Sequence, residues 1–404
     1  MKKLLRMLCL LLTMTLILIT ISFADKANDK GLIDQVINSY FNLQLEYVKD
    51  KEPGKAERLA NVINTHIDSG KKIYEYEKGK AKFLIASHKN DNTIIENYSY
   101  RVEYISTDIN ENVATVHMKF YPSIKYNFLD YVSDDSISHE ISLIKENGNW
   151  RIYNDFYTTE FKNTYGFDTN FDELEKNAKS EYEKYLENVK TEENSKSSEF
   201  IINSVPGDYY VTYDTTARNN AVNYAKSYTE NSGDNTTDKY NFTQFNDYAP
   251  SDCQNYVSQS IWYGLGGRNS SNEDLPMTGS WWANKTGTAT TWNWTSCDNF
   301  YSYITSNEAT DYYGVHGSNS SISIMKIGDY VFSDVSSDDD HVMFITKIID
   351  SNSNGLTEWD EIYISAHTSN RLDKNLKALY GGVSTPPSNF KFVMLRHFKW
   401  NSGQ

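Results

Sequence analysis

Three residues in the C-terminal half have types and surroundings that could cleave an acyl bond. Cys253 lies in "YAPSDCQNYVSQSIWYGLGG", residues 248 to 267; His341 opens "HVMFIT"; His367 sits in "IYISAHT". In such chemistry a thiolate attacks a carbonyl carbon, a histidine takes the thiol proton and passes it to the leaving group, and a third polar group orients the histidine. Cys253 is one of only three cysteines in 404 residues, so its setting asks for a reason. Pro250 cannot lie inside a helix, Ser251 is a good N-cap, and Gln254 three residues later completes a capping box. Helical spacing runs on through Tyr256, Val257 and Ile261 until "GLGG" stops it. Cys253 then falls in the first turn, where the positive end of the helix dipole favours thiolate. For this residue alone, a buried structural cysteine competes equally.

Two strands must position the histidines. "IGDYVFSDVSSDDDHVMFITKIID" reads as a strand entering a loop and a second strand starting at His341, with "EIYISAHTSN" as a third. A hairpin centred on Asn354 in "SNSNG" sets His341 directly opposite His367, with Cβ atoms about 5 Å apart, and opposes Lys347 to Glu361. A slip of one residue breaks that arrangement. The acidic run Asp338, Asp339, Asp340 favours imidazolium at His341, and a solvated loop explains the run as well. The connection also matches a calcium loop, with Asp350, Asn352, Asn354, Gly355 and Glu361 at the ligand and turn positions and Glu358 at the ninth. Its few carboxylates imply weak structural calcium at most, and the strand context favours an unmetallated Asn-Gly turn; no other cofactor is required. Trp281, Trp282, Trp292 and Trp294 could stack on sugars, with core packing the favoured role. A zinc hydrolase built on His316, His341 and His367 is a further reading that leaves Cys253 unexplained.

The blocks "SDCQNYVSQSIWYGLGG", "GDYVFSD", "HVMFIT" and "IYISAHT" come in this order. With "YDTTARNNAVNYAKSY" upstream and "SWWANKTGTATTWNWTSCDNFYSYI" between, they resemble the putative amidase domain family. That family is a branch of the papain-like cysteine peptidases related to NlpC-type cell-wall hydrolases. The resemblance is confined to the C-terminal half. It implies a papain-like α+β fold, Cys253 as nucleophile, His341 as general base and His367 as the orienting third group. It also implies an oxyanion hole made of the Cys253 N–H and a side-chain donor from Asn246, Gln244 or Tyr248. Asp252 matches the acidic residue that contacts the substrate amine in NlpC-type enzymes, and helix capping is its other available role. The inserted "DSNSNGLTEWDE" departs from the family pattern and keeps Asp360 and Glu361 open as alternative orienters. Cys297, among aromatics in "WNWTSCDNFYSYI", reads as a core residue.

Residues 1–24 read as a signal peptide: Lys2, Lys3 and Arg6 precede an apolar run that ends at Ser22-Phe23-Ala24. The expectation is therefore a secreted or cell-wall-associated protein with no membrane attachment after cleavage. The net charge of −15, more negative still without those three cations, argues against nucleic acid as a partner. Residues 25–165 read as a small α+β domain, a helix followed by a curled antiparallel sheet of the cystatin or nuclear-transport-factor type. Residues 166–205 read as an amphipathic helix and the linker "TEENSKSSE", and 206–404 as the papain-like domain. The overall expectation is an exported cysteine-dependent amidase or peptidase acting on peptidoglycan or a peptide. The alternative is an inactive module that binds cell wall or protein.

Overall fold

The computed structural model describes residues 28–193, 207–233, 236–267, 277–283, 290–335 and 340–401. The expected signal peptide, most of the expected linker, and Asp338 and Asp339 lie outside those residues. Among the described residues no helix is long and apolar enough to cross a membrane.

The architecture is α+β, with helices and antiparallel sheets. The N-terminal half opens with helix α1 (28–50) and helix α2 (Asp68–Asn90). An antiparallel sheet follows, made of β1 (Ile95–Asn110), β2 (Val113–Tyr126), the short β3 (Ser133–Asp134), β4 (Ile137–Glu146) and β5 (Asn149–Phe156) in the order β1-β2-β4-β5. Alternation builds this sheet: in β2 every second residue from Ala114 to Phe120 is buried. The turn between β4 and β5 is Asn147-Gly148, both at positive φ, the two-residue geometry that suits a tight hairpin. Helices α3 (Glu160–Thr164) and α4 (Phe171–Glu193) complete this half. The expected amphipathic helix is α4, which extends into the first three residues of the expected linker. Gly79 on α2 lets α4 approach closely, since a Cβ there would lie 2.8 Å from the Cβ of Phe171.

The C-terminal half runs β6 (Asp208–Thr212), α5 (Thr215–Ser227), α6 (Cys253–Gly264), α7 (Trp292–Thr295), α8 (Cys297–Thr310) and β7 (Gly314–Ser320). It continues through β8 (Tyr330–Ser333), β9 (His341–Ile348), β10 (Ile362–Ala366), β11 (Arg371–Asn375), α9 (Leu376–Leu379) and β12 (Phe390–Asn401). Its sheet has the order β11-β10-β9-β8-β12-β6, with β7 also paired to β12. The "GDYVF" block has a structural task here. Asp329 binds Arg218 of α5 at 2.6 Å, and Arg218 also donates to the carbonyls of Tyr213 and Leu395, tying helix to sheet. Gly328, at φ +86, passes so close that a Cβ would lie 3.1 Å from the Tyr213 hydroxyl oxygen.

The two halves share packing. One apolar cluster runs from Ile37 and Phe41 of α1 to Ile345, Ile364 and Tyr380 of the C-terminal half. Buried polar bonds cross with it: Arg371 grips Glu160 through two contacts at 2.8 and 3.1 Å, and the His88 ring donates to the Gly381 carbonyl at 2.7 Å.

Candidate active site

Helix α6 is buried along almost its whole length, from Cys253 to Trp262. It sits between α5, the sheet and α8, so tertiary packing holds it in place. Cys253 is its first helical residue, so its N–H and those of the next residues lack intrahelical acceptors and face the thiol end. The expected capping box is absent. The N-cap is Asp252 rather than Ser251, its side chain makes no capping bond, and Gln254 donates to Ser258 Oγ at 3.0 Å. Asp252 is drawn away by a stronger partner, described below.

A second thiol lies where none was expected. Cys297 opens α8, and its Sγ is 3.5 Å from Cys253 Sγ and 3.6 Å from the Asp340 carbonyl oxygen. Both cysteines are buried and unbridged. Their surroundings decide which one ionises. The Cys253 thiol is held well below its ordinary range, first by the Cys297 S–H donated to it, then by His341 and the backbone N–H of Val342, with burial opposing. Cys297 is pushed well up by the Cys253 sulfur beside it, by burial and by the charges of Asp340 and Asp298. Cys253 is therefore the thiolate and Cys297 its donor. Sequence placed Cys297 in the core correctly but gave no sign of this contact, which joins two helix starts 44 residues apart.

His341 stands at the first residue of β9, opposite Ser333 of β8. It lines a small cavity with Ser333, Thr368, Thr159, Glu160 and Tyr380, so both halves of the chain meet there. The Glu160 carboxyl is buried, and although burial acts on it most, Arg371 and the charge of His341 together keep it below its ordinary value. Glu160 was missed by sequence reasoning because it belongs to the other half.

His367 is not where the hairpin register put it. The strands pair Ile362 with Ile348 and Tyr363 with Lys347, then shift by one so that Ser365 faces Phe344. The loop causes the displacement: Glu361 accepts from Ser351 N–H at 2.6 Å and Ile349 N–H binds the Glu361 carbonyl at 3.0 Å, centring the turn on Gly355. Lys347 consequently lies over the Tyr363 ring at 4.8 Å instead of facing Glu361. The bulge falls at Thr346, whose hydroxyl binds Asp373 at 2.6 Å. Carried to the strand end, this register no longer opposes His341 to His367. The His367 ring instead contacts Asp252 Oδ2 through Nδ1 at 2.6 Å and donates through Nε2 to the Tyr228 carbonyl at 2.6 Å. Tyr240 stacks on one side at 3.7 Å and Tyr256 on the other at 4.1 Å. Burial raises the Asp252 carboxyl, and His367 partly offsets this. His367 is thus a buried brace that holds Asp252, one residue before Cys253.

The remaining candidates scatter. Asn246 offers its carbonyl to Asn255 at 3.5 Å, Gln244 accepts from Asn241 and Tyr263, and the buried Tyr248 hydroxyl has no hydrogen-bond partner among the described residues. Asp350, Asn352, Asn354 and Glu361 do share one loop, but it satisfies itself. Asp350 accepts from the N–H groups of Asn354 and Gly355, Asn352 and Asn354 both donate to Glu358, and Glu361 accepts from Ser351 and Glu358. Asp360 packs away from the site with Lys377 as its nearest opposite charge. Trp281 and Trp294 are fully buried in the core, while Trp292 is exposed. His316 stacks on His397 rather than joining His341 and His367.

Residues 215–392 match the family model of the putative amidase domain. The matched segment contains Cys253, Cys297, His341 and His367 and points to amide hydrolysis as the reaction class; the N-terminal half lies outside it. No curated protein and no solved structure matches the chain.

Proposed function

We propose that the protein is an exported cysteine-dependent amide hydrolase, with Cys253 as nucleophile and His341 as its proton partner. The observation that carries this is the pairing at the start of α6: a thiol held low by His341, by a backbone N–H and by a second thiol. Structural cysteines in apolar surroundings are pushed the other way. The thiolate adds to the substrate carbonyl, the oxyanion takes the N–H of Cys253, and the unpartnered Tyr248 hydroxyl is a side-chain donor consistent with that role. The tetrahedral adduct expels the amine, which takes its proton from the His341 imidazolium, and leaves a thioester. Water, deprotonated by neutral His341, then releases the acid and restores the thiol. Glu160 stabilises the imidazolium from the cavity side, and Asp252, braced by His367, orders the approach to the nucleophile. Relation to the papain-like and NlpC-type hydrolases rests on the sequence blocks around these residues. The signal-like N-terminus makes peptidoglycan the leading substrate.

The test is incubation of purified protein with isolated peptidoglycan, followed by mass spectrometry of the fragments. New amine and carboxyl termini should appear with wild type and vanish with Cys253→Ala and with His341→Ala. Fragmentation that persists in Cys253→Ala would sink the cysteine mechanism. Intact peptidoglycan together with turnover of a peptide panel would move the substrate to peptides.

A further inference from the structure

Away from the two thiols, Glu308 of α8, His316 of β7 and His397 of β12 converge so that one ligand atom from each lies within 4.8 Å of the others. The strand register sets His397 opposite His316, and the two rings stack at 4.1 Å. Both histidines are buried, at 1 and 2 % exposure. Arg396 holds one oxygen of Glu308 at 3.0 Å, leaving Oε2 facing His316 Nδ1 at 3.5 Å.

The tautomer of His316 makes this facing pair informative. Its Nε2 lies 2.6 Å from the Tyr312 carbonyl, which can only accept, so Nε2 carries the hydrogen. In the neutral ring Nδ1 then offers a lone pair to a carboxylate oxygen, and both atoms are buried without a hydrogen-bond partner among the described residues. Two buried acceptors face each other stably only across a positive species, either a proton or a metal ion. Three features favour the metal. Two imidazoles and one carboxylate form a zinc donor set. A backbone carbonyl that fixes the tautomer, and an arginine on the non-ligating carboxylate oxygen, are the outer contacts such a set uses. Burial, with His316 adding to it, pushes His397 down to about 4, so its ring is neutral and able to ligate at neutral pH.

We propose that Glu308, His316 and His397 bind one divalent transition-metal ion, zinc by donor type, with a fourth position left for water. A small inward rotation of the three side chains reaches the bond lengths of about 2.0–2.2 Å that zinc takes with nitrogen and carboxylate oxygen. The ion would fasten the end of α8 to the β7-β12 ladder, and because α8 begins at Cys297, it would also steady the helix that carries the second thiol. The proposal stands independently of any cysteine mechanism.

The full chain, stripped with a chelator, would be titrated calorimetrically with zinc chloride and by visible absorption with cobalt(II) chloride. One ion per chain should bind, and zinc should raise Tm. Glu308→Gln and His397→Gln should each weaken binding by at least the roughly 10–100-fold seen when only an outer contact is lost. The Cys253→Ala, Cys297→Ala double variant should bind as wild type does. If His397→Gln fails to fold, the near-isosteric Glu308→Gln decides alone. The site is overturned if wild type takes up neither metal and His316 titrates as an imidazolium by NMR. It is equally overturned if binding survives Glu308→Gln and disappears in the cysteine double variant.

Discussion

At the scale of single residues, the two sulfur atoms are distinguished by their neighbours and not by burial, since both are buried. His341 and the Val342 N–H address Cys253, while Asp298 and Asp340 surround Cys297. Iodoacetamide should therefore label Cys253 first, at a rate nearly flat as pH falls below the free-thiol value of about 8.5, and Cys297 should resist until higher pH. His341→Ala should restore a steep pH dependence to Cys253 labelling. His367→Gln should leave that profile unchanged while lowering kcat/KM, because His367 touches Asp252 and not the thiol. A labelling profile shifted equally by both substitutions would return His367 to the role of orienting His341.

Among the elements, the loop between β9 and β10 is the clearest case of a pattern fulfilled by the backbone itself. Its carboxylates and amides are spent on their own turn, with the Asp350 carboxylate on two N–H groups and Glu361 on Ser351 and Glu358. Calcium would have to displace those bonds before gaining any of its own. Raising calcium to ~10 mM, above the range used by weak extracellular sites, should leave Tm unchanged. An increase abolished by Asp350→Ala would establish the loop as a calcium site. The same self-contained turn moved the hairpin centre to Gly355 and separated the two histidines.

For the whole molecule, acid should act first where the halves meet. His88 is buried between them, its Nε2 donating to Gly381, and burial pushes it down to about 4. The unfolded chain binds this proton below about 6.5 and the folded chain only near 4, so stability is complete above 6.5 and falls across that window. The loss from this one residue is about 3 kcal/mol, an order-of-magnitude figure. His88→Gln should flatten the change in urea midpoint between pH 7 and pH 4.5, even if it lowers the midpoint at pH 7. An unchanged slope would show that other groups govern acid unfolding.

Local pattern was enough for the parts that local physics controls. The α+β class, the strands "NVATVHMKFY" and "RIYNDFY", the Asn147-Gly148 turn, the amphipathic helix α4 and the placing of Cys253 in the first turn of α6 were all legible. Each depends on hydrophobic period, turn chemistry or helix punctuation within a short window. Tertiary structure decided the rest, because the deciding contacts join residues far apart in the chain. A bulge at Thr346 and a turn shifted by one residue redirected His367 to Asp252, since a period of two turns any one-residue slip into a change of face. Cys297 reached Cys253, Glu160 reached the cavity of His341 from the other half, and His397 came opposite His316. No spacing rule encodes such meetings; they follow from how two sheets and their helices exclude water from a shared core.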